Sequence, residues 1–260
     1  EEYKMKNKQK IIQMILLVLS AALILTLWQT RVIHSILSLK KYQLPVPSEI
    51  GKALIENQFV IRKNTLYTVI EALSGLAIGT VIGMFTAIVS TALKKIGGGI
   101  ITIAAALNAV PMVAMAPIMN NWFGMAMGSK IAVVAFFVSS IMSVNVYKGL
   151  NTQKPFELDL MKTYAADKKT VFLKCRIPSS IPALLTGLKL SSSAALVTAI
   201  CSEFFSSFAG IGFDMSTAIK QSKMSLAWAY ILAAAICGII LYLIIGLIEK
   251  KVLHWHTSQR

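Results

Sequence analysis

The chain has 260 residues, of which 56% are hydrophobic and only 14% are charged, and its formal net charge is +15. Soluble domains carry about 25% charged residues, so this composition excludes an ordinary soluble protein. Several apolar runs reach the roughly 20 residues that cross a bilayer, which predicts an all-α polytopic membrane protein. The positive charge therefore indicates cytoplasmic loops of a membrane protein rather than binding of nucleic acid.

The hydrophobic runs predict six transmembrane helices within one transmembrane domain, residues 1–260. The predicted spans are residues 11–28, 64–93, 100–119, 129–147, 184–205 and 226–248. We interpret the first run as a retained helix because no small-x-small cleavage pattern follows it. Two short helices are predicted outside the spans. One starts with Ser48 as its N-cap and ends near Phe59, and the other runs from Asp214 to about Gln221.

Particular residues within the spans predict how the helices pack. Gly75, Gly79 and Gly83 recur every four residues in span two, which lets a second helix approach closely. Prolines 111 and 117 predict a bend in span three. Glu71 is a candidate functional residue because carboxylates are costly in lipid, with an interfacial position or a pairing partner as the alternative. No Arg or Lys lies clearly inside a span, so we expect no fixed site for an anion.

The distribution of basic residues predicts the orientation. With a cytoplasmic N-terminus, the cytoplasmic segments hold 17 basic residues over 71 positions and the outer segments hold nine over 69. Cytoplasmic loops are enriched in Lys and Arg, so both termini and the loop 148–189 are predicted to face the cytoplasm. The first outer loop, which has six basic residues, weakens this bias.

The loop 148–189 joins predicted spans four and five and holds eight of the 26 basic residues. Its stretch from Asp159 to Ala165, followed after nine residues by Cys175-Arg-Ile-Pro178, resembles the cytoplasmic signature of binding-protein-dependent ABC importer permeases. The family pattern is Glu-Ala-Ala, three residues, Gly, nine residues, Ile-x-Leu-Pro. The spacing agrees throughout and Pro178 matches. Asp159 stands in place of Glu, Ala165 in place of Gly and Cys175 in place of Ile.

Other segments resemble the nitrate/sulfonate/taurine-type permeases of this family. They occur in the family's order between about residues 40 and 250, at 44–50, 111–117, 122–124, 178–190 and 203–212. The resemblance implies the type I ABC importer permease architecture in a bacterial inner (plasma) membrane. It also implies a second permease copy in a homodimer or pseudo-dimer, two ATP-binding cassette ATPase subunits, and an extracytoplasmic substrate-binding protein.

In such importers the signature forms a short coupling helix that sits in a groove of the ATPase. Carried over to this chain, the resemblance places that helix and its flanks at 159–169, with Tyr164, Ala165 and Ala166 offering a flat contact face. The alternative is a generic basic loop. The residues that this resemblance assigns to ATPase coupling are Asp159, Lys162, Thr163, Tyr164, Ala165, Ala166, Asp167, Lys168, Lys169 and Pro178.

Polar residues in the spans are candidates for the translocation path. The alternative for each is an ordinary hydrogen bond between helices. The candidates are Asn108, Pro111, Ser139, Asn145, Ser192 and Glu203.

The sequence carries no pattern typical of nucleotide, catalytic or metal sites. The phosphate-binding pattern G-x-x-x-x-G-K-[ST] does not occur in the sequence, so ATP and Mg are expected on the partner ATPase and no cofactor on this chain. The three histidines, His34, His254 and His256, form no ligand set with acids or cysteines, and no metal is expected.

The leading hypothesis is therefore a transport subunit with no catalytic site of its own. Its solute would be small, such as nitrate, a sulfonate, taurine or a vitamin-like compound. An ATP-independent secondary transporter or channel, with Glu71 and Glu203 as an ion relay, is the alternative. A membrane enzyme is disfavoured because no catalytic pattern was found.

Overall fold

The computed structural model describes residues 2–40, 42–93 and 95–253, and for residues 2–11 it describes the backbone alone. These residues form α-helices, one 3₁₀ turn and one π-helical turn, without a β-strand. The helices are α1 Glu2–Gln29, α2 Val32–Ile36, α3 Pro47–Glu56, α4 Gln58–Ala92, α5 Gly97–Ala106, α6 Met112–Phe123, α7 Met127–Leu150, α8 Pro155–Thr163, α9 Lys168–Val171, α10 Ile177–Ser206, α11 Ile211–Lys220 and α12 Met224–Val252.

The described residues contain up to six candidate membrane crossings, and one of them is broken. Five helices, α1, α4, α7, α10 and α12, are long and apolar enough to span a bilayer. The sixth crossing is the pair α5–α6, which bends by 100°. The prediction of six spans is confirmed, but the third is not one bent helix. Pro111 has no amide hydrogen and excludes the helical conformation at Val110, whose ψ is 127°, so the helix stops before residue 110.

The glycine ridge of α4 packs against α7, as predicted. A Cβ atom added at Gly75 would lie 2.5 Å from the Cβ of Val134, and one at Gly79 would lie 2.7 Å from the Cβ of Val138. A Cβ at Gly83 would likewise meet α7, which shows that α4 and α7 run parallel. The missing side chains let the two backbones come into direct contact over two turns.

Helix α10 lies antiparallel to α7 and completes the core. A Cβ at Gly187 would lie 2.9 Å from the Cβ of Asn145, and one at Gly149 would lie 3.0 Å from the Cα of Ser180. The apolar core is built from α4, α7 and α10, with Val138, Met142 and others almost fully buried. The end of this bundle that carries α8 and α9 is called the loop end below, and the opposite end is called the α11 end.

Helices α12 and α1 lie outside this core. Lys189 of α10 forms an ion pair with Glu249 of α12 at 3.0 Å. Trp28 of α1 and Trp228 of α12 meet edge to face with ring centroids 5.6 Å apart. The side chains of residues 12–26 are exposed along the whole helix, as expected for a helix surrounded by lipid.

Two predicted helix starts are wrong. Helix α3 begins at Pro47, because proline suits the first helical position, where no amide hydrogen is needed. Ser48 is therefore inside the helix rather than its cap, and its N–H donates to Oε1 of Gln29 at 3.1 Å. Helix α11 begins at Ile211 and not at Asp214, whose carboxylate accepts a hydrogen bond from Tyr230.

Candidate functional site

The loop end carries the segment that resembles the importer signature, and its first helix is set by local sequence. Pro155 occupies the first position of α8, where its missing N–H costs nothing. The carboxylate of Glu157 accepts a hydrogen bond from the backbone N–H of Lys154 at 3.2 Å. Asp159 and Lys162 form an exposed ion pair at 2.9 Å one turn further on. Helix α8 therefore has a defined start on an otherwise solvent-exposed loop.

Helix α8 ends in a left-handed turn at Ala165. Its φ is +51°, the N–H of Ala165 donates to the carbonyl of Lys162 at 2.9 Å, and the N–H of Ala166 donates to that of Met161 at 3.0 Å. Glycine is the usual residue at this position after a helix, because a Cβ costs about 1–2 kcal/mol in that conformation. The position that is glycine in the family signature thus has a left-handed backbone conformation, and Ala165 adopts this conformation at a cost in strain.

This turn corrects the predicted contact face. Tyr164, Ala165 and Ala166 were expected on the surface of a helix, but they form the connection between α8 and α9. Asp167 caps α9 by accepting a hydrogen bond from the N–H of Thr170 at 3.1 Å, and the hydrogen bonds from Thr170 lower the pKa of Asp167. The range 159–169 is therefore the end of α8, a turn and the start of α9, because the left-handed backbone at Ala165 ends α8 and α9 begins only at Lys168.

An apolar stripe follows one side of α8. Phe156, Leu160 and Tyr164 are four residues apart and are 70%, 44% and 76% exposed. Residues at i and i+4 lie on the same helix face, and Tyr164 continues the row just beyond the helix. Sequence reasoning missed Phe156 and Leu160, although their spacing is readable in the sequence. Large exposed apolar side chains on a basic loop indicate a contact surface for another protein.

The residues assigned to coupling by resemblance lie around this stripe. Ala166 and Pro178 are half-buried, and the others are exposed. Pro178 is the second residue of α10, and a π-helical turn, Phe172–Arg176, joins α9 to α10. Predicted span five, 184–205, is thus part of one continuous helical stretch from Lys168 to Ser206.

The translocation candidates lie on α5–α7 and α10, and their role stays a prediction. Asn108 donates to Oγ of Ser140 at 2.7 Å. Pro111 is at the break between α5 and α6. Ser139, Asn145 and Ser192 donate to carbonyls of their own helices. In the part of the chain that the structure describes, no recorded hydrogen bond joins one candidate to another.

Glu203 organises a buried cluster at the α11 end. Its fully buried carboxylate accepts hydrogen bonds from the Thr68 hydroxyl at 2.7 Å and from the Gly212 N–H at 2.8 Å. The second donor belongs to the first turn of α11, where the positive end of the helix dipole favours an anion. Gly210 has φ +98°, and a Cβ there would lie 2.1 Å from Oε1 of Glu203, so the turn requires glycine. Glu203 therefore fixes α11 against α4 and α10.

Lys130 lies at the same end of the bundle. It is part of the spanning helix α7, so the expectation that no basic residue lies clearly inside a span is wrong. It is the fourth residue of α7 and its surface is fully buried. Its ammonium group donates to the carbonyl of Met125 at 2.8 Å and to Oδ1 of Asn120 at 3.2 Å. Its position next to a predicted span boundary made it resemble a loop residue in the sequence. The Asn120 side chain on α6 and the carbonyl of Met125, just beyond α6, accept these bonds and accommodate the charge.

Glu71 is also fully buried at this end. Its carboxyl group lies beside that of Glu203, with which it interacts directly, and Lys130 interacts with it electrostatically. Glu71 therefore has ionisable neighbours, as the pairing alternative expects, and its depth in the membrane and a role in an ion path stay predictions.

Potential metal ligands are dispersed in the ranges 2–40, 42–93 and 95–253, where three or more His, Cys, Asp or Glu residues do not come together. The ring of His34 contacts the carbonyl of Leu44. His254 and His256 lie outside the described residues.

Comparisons with known proteins agree with the signature. The family model described as "Binding-protein-dependent transport system inner membrane component" matches residues 79–254. The chain is 27% identical over 224 residues to a probable ABC transporter permease protein of Haemophilus influenzae, covering 86% of this chain and 91% of that protein. It is 27% identical over 220 residues to the formylaminopyrimidine transport permease protein of Halalkalibacterium halodurans, covering 84% and 88%. The taurine transport system permease protein of Escherichia coli is 23% identical over 147 residues, covering 56% and 54%.

The fold is also shared with a solved transporter. A chain of the MetNI methionine ABC transporter, in an inward-facing conformation, matches with a TM-score of 0.62 at 11% identity, covering 76% of this chain and 96% of that one. This likeness concerns the fold alone. Taken with the family match and the six crossings, it identifies the chain as a multi-pass bacterial inner-membrane protein that belongs to the binding-protein-dependent transport system inner membrane component family, the permeases of ABC importers.

Proposed function

We propose that this chain is the subunit through which ATP hydrolysis on partner ATPases drives import of a small solute. The observation that carries the proposal is the apolar stripe Phe156, Leu160 and Tyr164, exposed on the segment that matches the importer signature in spacing. The stripe and the turn at Ala165 are the parts of the loop end that a groove on another protein would contact. Burial of each large apolar side chain on docking would contribute about 1.5–3 kcal/mol.

The same proposal sets the orientation and the assembly. The loop end faces the cytoplasm, because the segments on that side hold 17 of the 26 basic residues. Two ATPase subunits bind there, one to each of two permease copies, and they carry ATP and Mg. A substrate-binding protein delivers the solute at the α11 end, and the solute crosses between the two permeases.

The proposed solute is small and organic, or a sulfonate. Relatives named for formylaminopyrimidine and for taurine transport support this range. The buried ammonium of Lys130 does not extend the proposal to a fixed anion site, because Asn120 and Met125 already accept its hydrogen bonds.

The test is recovery of the ATPase with the purified permease. In Leu160→Glu, a charge would enter the centre of the stripe, and we expect recovery of the ATPase to fall at least about tenfold while membrane insertion is retained. Thr152→Glu is the matched control, because it adds the same charge to an exposed position of the same loop outside the stripe. Normal recovery with Leu160→Glu would overturn the assignment of the stripe.

A second measurement addresses the ATP-independent alternative. The purified chain alone is reconstituted into vesicles, and uptake of taurine and of formylaminopyrimidine is followed down an imposed gradient. We expect no uptake without the ATPase. Transport of either solute by the chain alone would favour a secondary transporter or channel.

A further inference from the structure

Arg176 stands where the signature segment enters the bundle. It is the last residue of the π-helical turn that precedes α10. Its Nη1 donates to Oδ1 of Asn151 at 3.1 Å and approaches the carbonyl oxygen of Leu150 at 3.4 Å. Leu150 is the final residue of α7, and Asn151 is its C-cap. One side chain of the segment therefore contacts the end of a core helix directly.

Asn151 extends this contact to α4. Its Nδ2 donates to Oγ1 of Thr91 at 3.3 Å and to the carbonyl of Tyr147 at 2.8 Å. Thr91 lies in the last turn of α4. Because α4 and α7 run parallel, their carbonyl ends, which carry partial negative charge, meet at this place. A guanidinium there is favoured by two helix ends, and no carboxylate in the described part of the chain forms an ion pair with it.

The packing around Arg176 leaves little room for independent movement. A Cβ at Gly149 would lie 2.8 Å from the Cβ of Ala183, so the end of α7 and the start of α10 are in close contact. Phe172, on the same π-helical turn, packs against the core cluster that contains Leu150. Close-packed interiors transmit displacement rather than absorb it. Single π-helical turns within α-helices are also frequent at functional sites.

We propose that Arg176 is a positioning residue that passes movement of the segment α8–α9 to the ends of α7 and α4. This inference rests on the proposed function, since the movement originates at the ATPase. The guanidinium is hydrogen-bonded to Asn151, and Asn151 is hydrogen-bonded to Thr91. A shift of the π-helical turn would therefore displace the ends of α7 and α4 in the same direction. Without Arg176, the segment would still bind its partner, but its movement would reach α10 alone.

The experiment uses the full chain co-purified with its ATPase in vesicles. A cysteine at Phe208, which is 72% exposed at the α11 end, reports the ATP-driven change through its rate of reaction with a membrane-impermeant maleimide. The background carries Cys175→Ser, Cys201→Ser and Cys237→Ser. We expect the difference in labelling rate with and without MgATP and vanadate to fall about tenfold in Arg176→Ala, whereas the amount of bound ATPase stays unchanged. Lys174→Ala, an exposed cation two residues away, is the matched control and retains the full difference.

A double-mutant cycle separates this role from simple loss of stability. Asn151→Ala is expected to reduce the ATP-dependent difference as Arg176→Ala does, and the double variant is expected to be no worse than either. Arg176→Lys keeps the charge but not the planar guanidinium or its reach, and we expect an intermediate difference. A full difference in Arg176→Ala, or strictly additive losses in the double variant, would overturn the inference. Failure of the unaltered chain to retain ATPase would instead overturn the proposed function.

Discussion

The Gly79→Ala substitution, which adds one methyl group between α4 and α7, tests how closely the two helices pack. A Cβ at Gly79 would lie 2.7 Å from both the carbonyl oxygen of Ala135 and the Cβ of Val138. Carbon atoms in contact are normally 3.5–4.0 Å apart, so the helices would have to separate by roughly 1 Å. Neither neighbour can turn aside, because one is backbone and the other is a β-branched side chain with one preferred rotamer in a helix.

Two opposing effects determine the stability of Gly79→Ala. Alanine favours a helix interior over glycine by about 1 kcal/mol. Overpacking of a close contact costs typically about 1–3 kcal/mol. We therefore expect the free energy of unfolding to fall by up to about 2 kcal/mol, even though alanine is the better helix former.

Gly238→Ala is the matched control within another spanning helix. The nearest atom to a Cβ at Gly238 is Cδ2 of Leu196 at 3.6 Å, which is an ordinary contact. This variant should gain about 1 kcal/mol from helix propensity alone. The measurement is unfolding of the purified chain in mixed micelles at increasing SDS, followed by the helical circular dichroism signal. Equal stabilisation by the two substitutions would refute the close packing of α4 on α7.

Three further predictions concern single positions. Glu203→Ala leaves the buried N–H of Gly212 without an acceptor, whereas the Thr68 hydroxyl keeps the carbonyl of Asn64, and unfolding in mixed micelles should show a loss of about 1–3 kcal/mol, larger than the loss in Glu203→Gln. Ala165→Gly removes a left-handed alanine and should slow amide hydrogen exchange in the turn, with a gain of about 1 kcal/mol, whereas Ala165→Val should accelerate it. Tyr230→Phe removes a hydrogen bond to the Asp214 carboxylate and should lower the free energy of unfolding by about 1.5–3 kcal/mol, and an unchanged value would show that this bond contributes nothing.

The spans were predictable because lipid imposes a simple requirement. A helix that crosses a bilayer must be apolar for about 20 residues, and that length is visible in the sequence. The glycine spacing in α4 was equally readable, since only small residues allow close approach of backbones without a hydrophobic drive. The break at Pro111 was predicted as a bend, but its size of 100° depends on the packing of α5 and α6 on α7.

The coupling role of the loop end stays a prediction, and only its local backbone can be compared with the sequence. The signature spacing predicted a coupling segment at Asp159–Lys169, with a flat helix face at Ala165 and Ala166. The structure has a left-handed turn there, because the helix ends at Thr163 and the stripe of Phe156 and Leu160 precedes it. Alanine carries no sign in the sequence that its backbone is left-handed, although glycine at that position would have indicated it.

The sequence by itself determined the class of the protein, the long helices that can cross a membrane and the segment that resembles the importer signature. Each depends on hydrophobic composition or on residue spacing, and both are properties of the linear sequence that do not require knowledge of the packing. Only the tertiary structure decided where the charges of the α11 end belong and what Arg176 contacts. Arg176 contacts the cap of α7, 25 residues away, and Glu203 accepts a hydrogen bond from Thr68 of α4, 135 residues away. Such contacts arise only when the helices have packed.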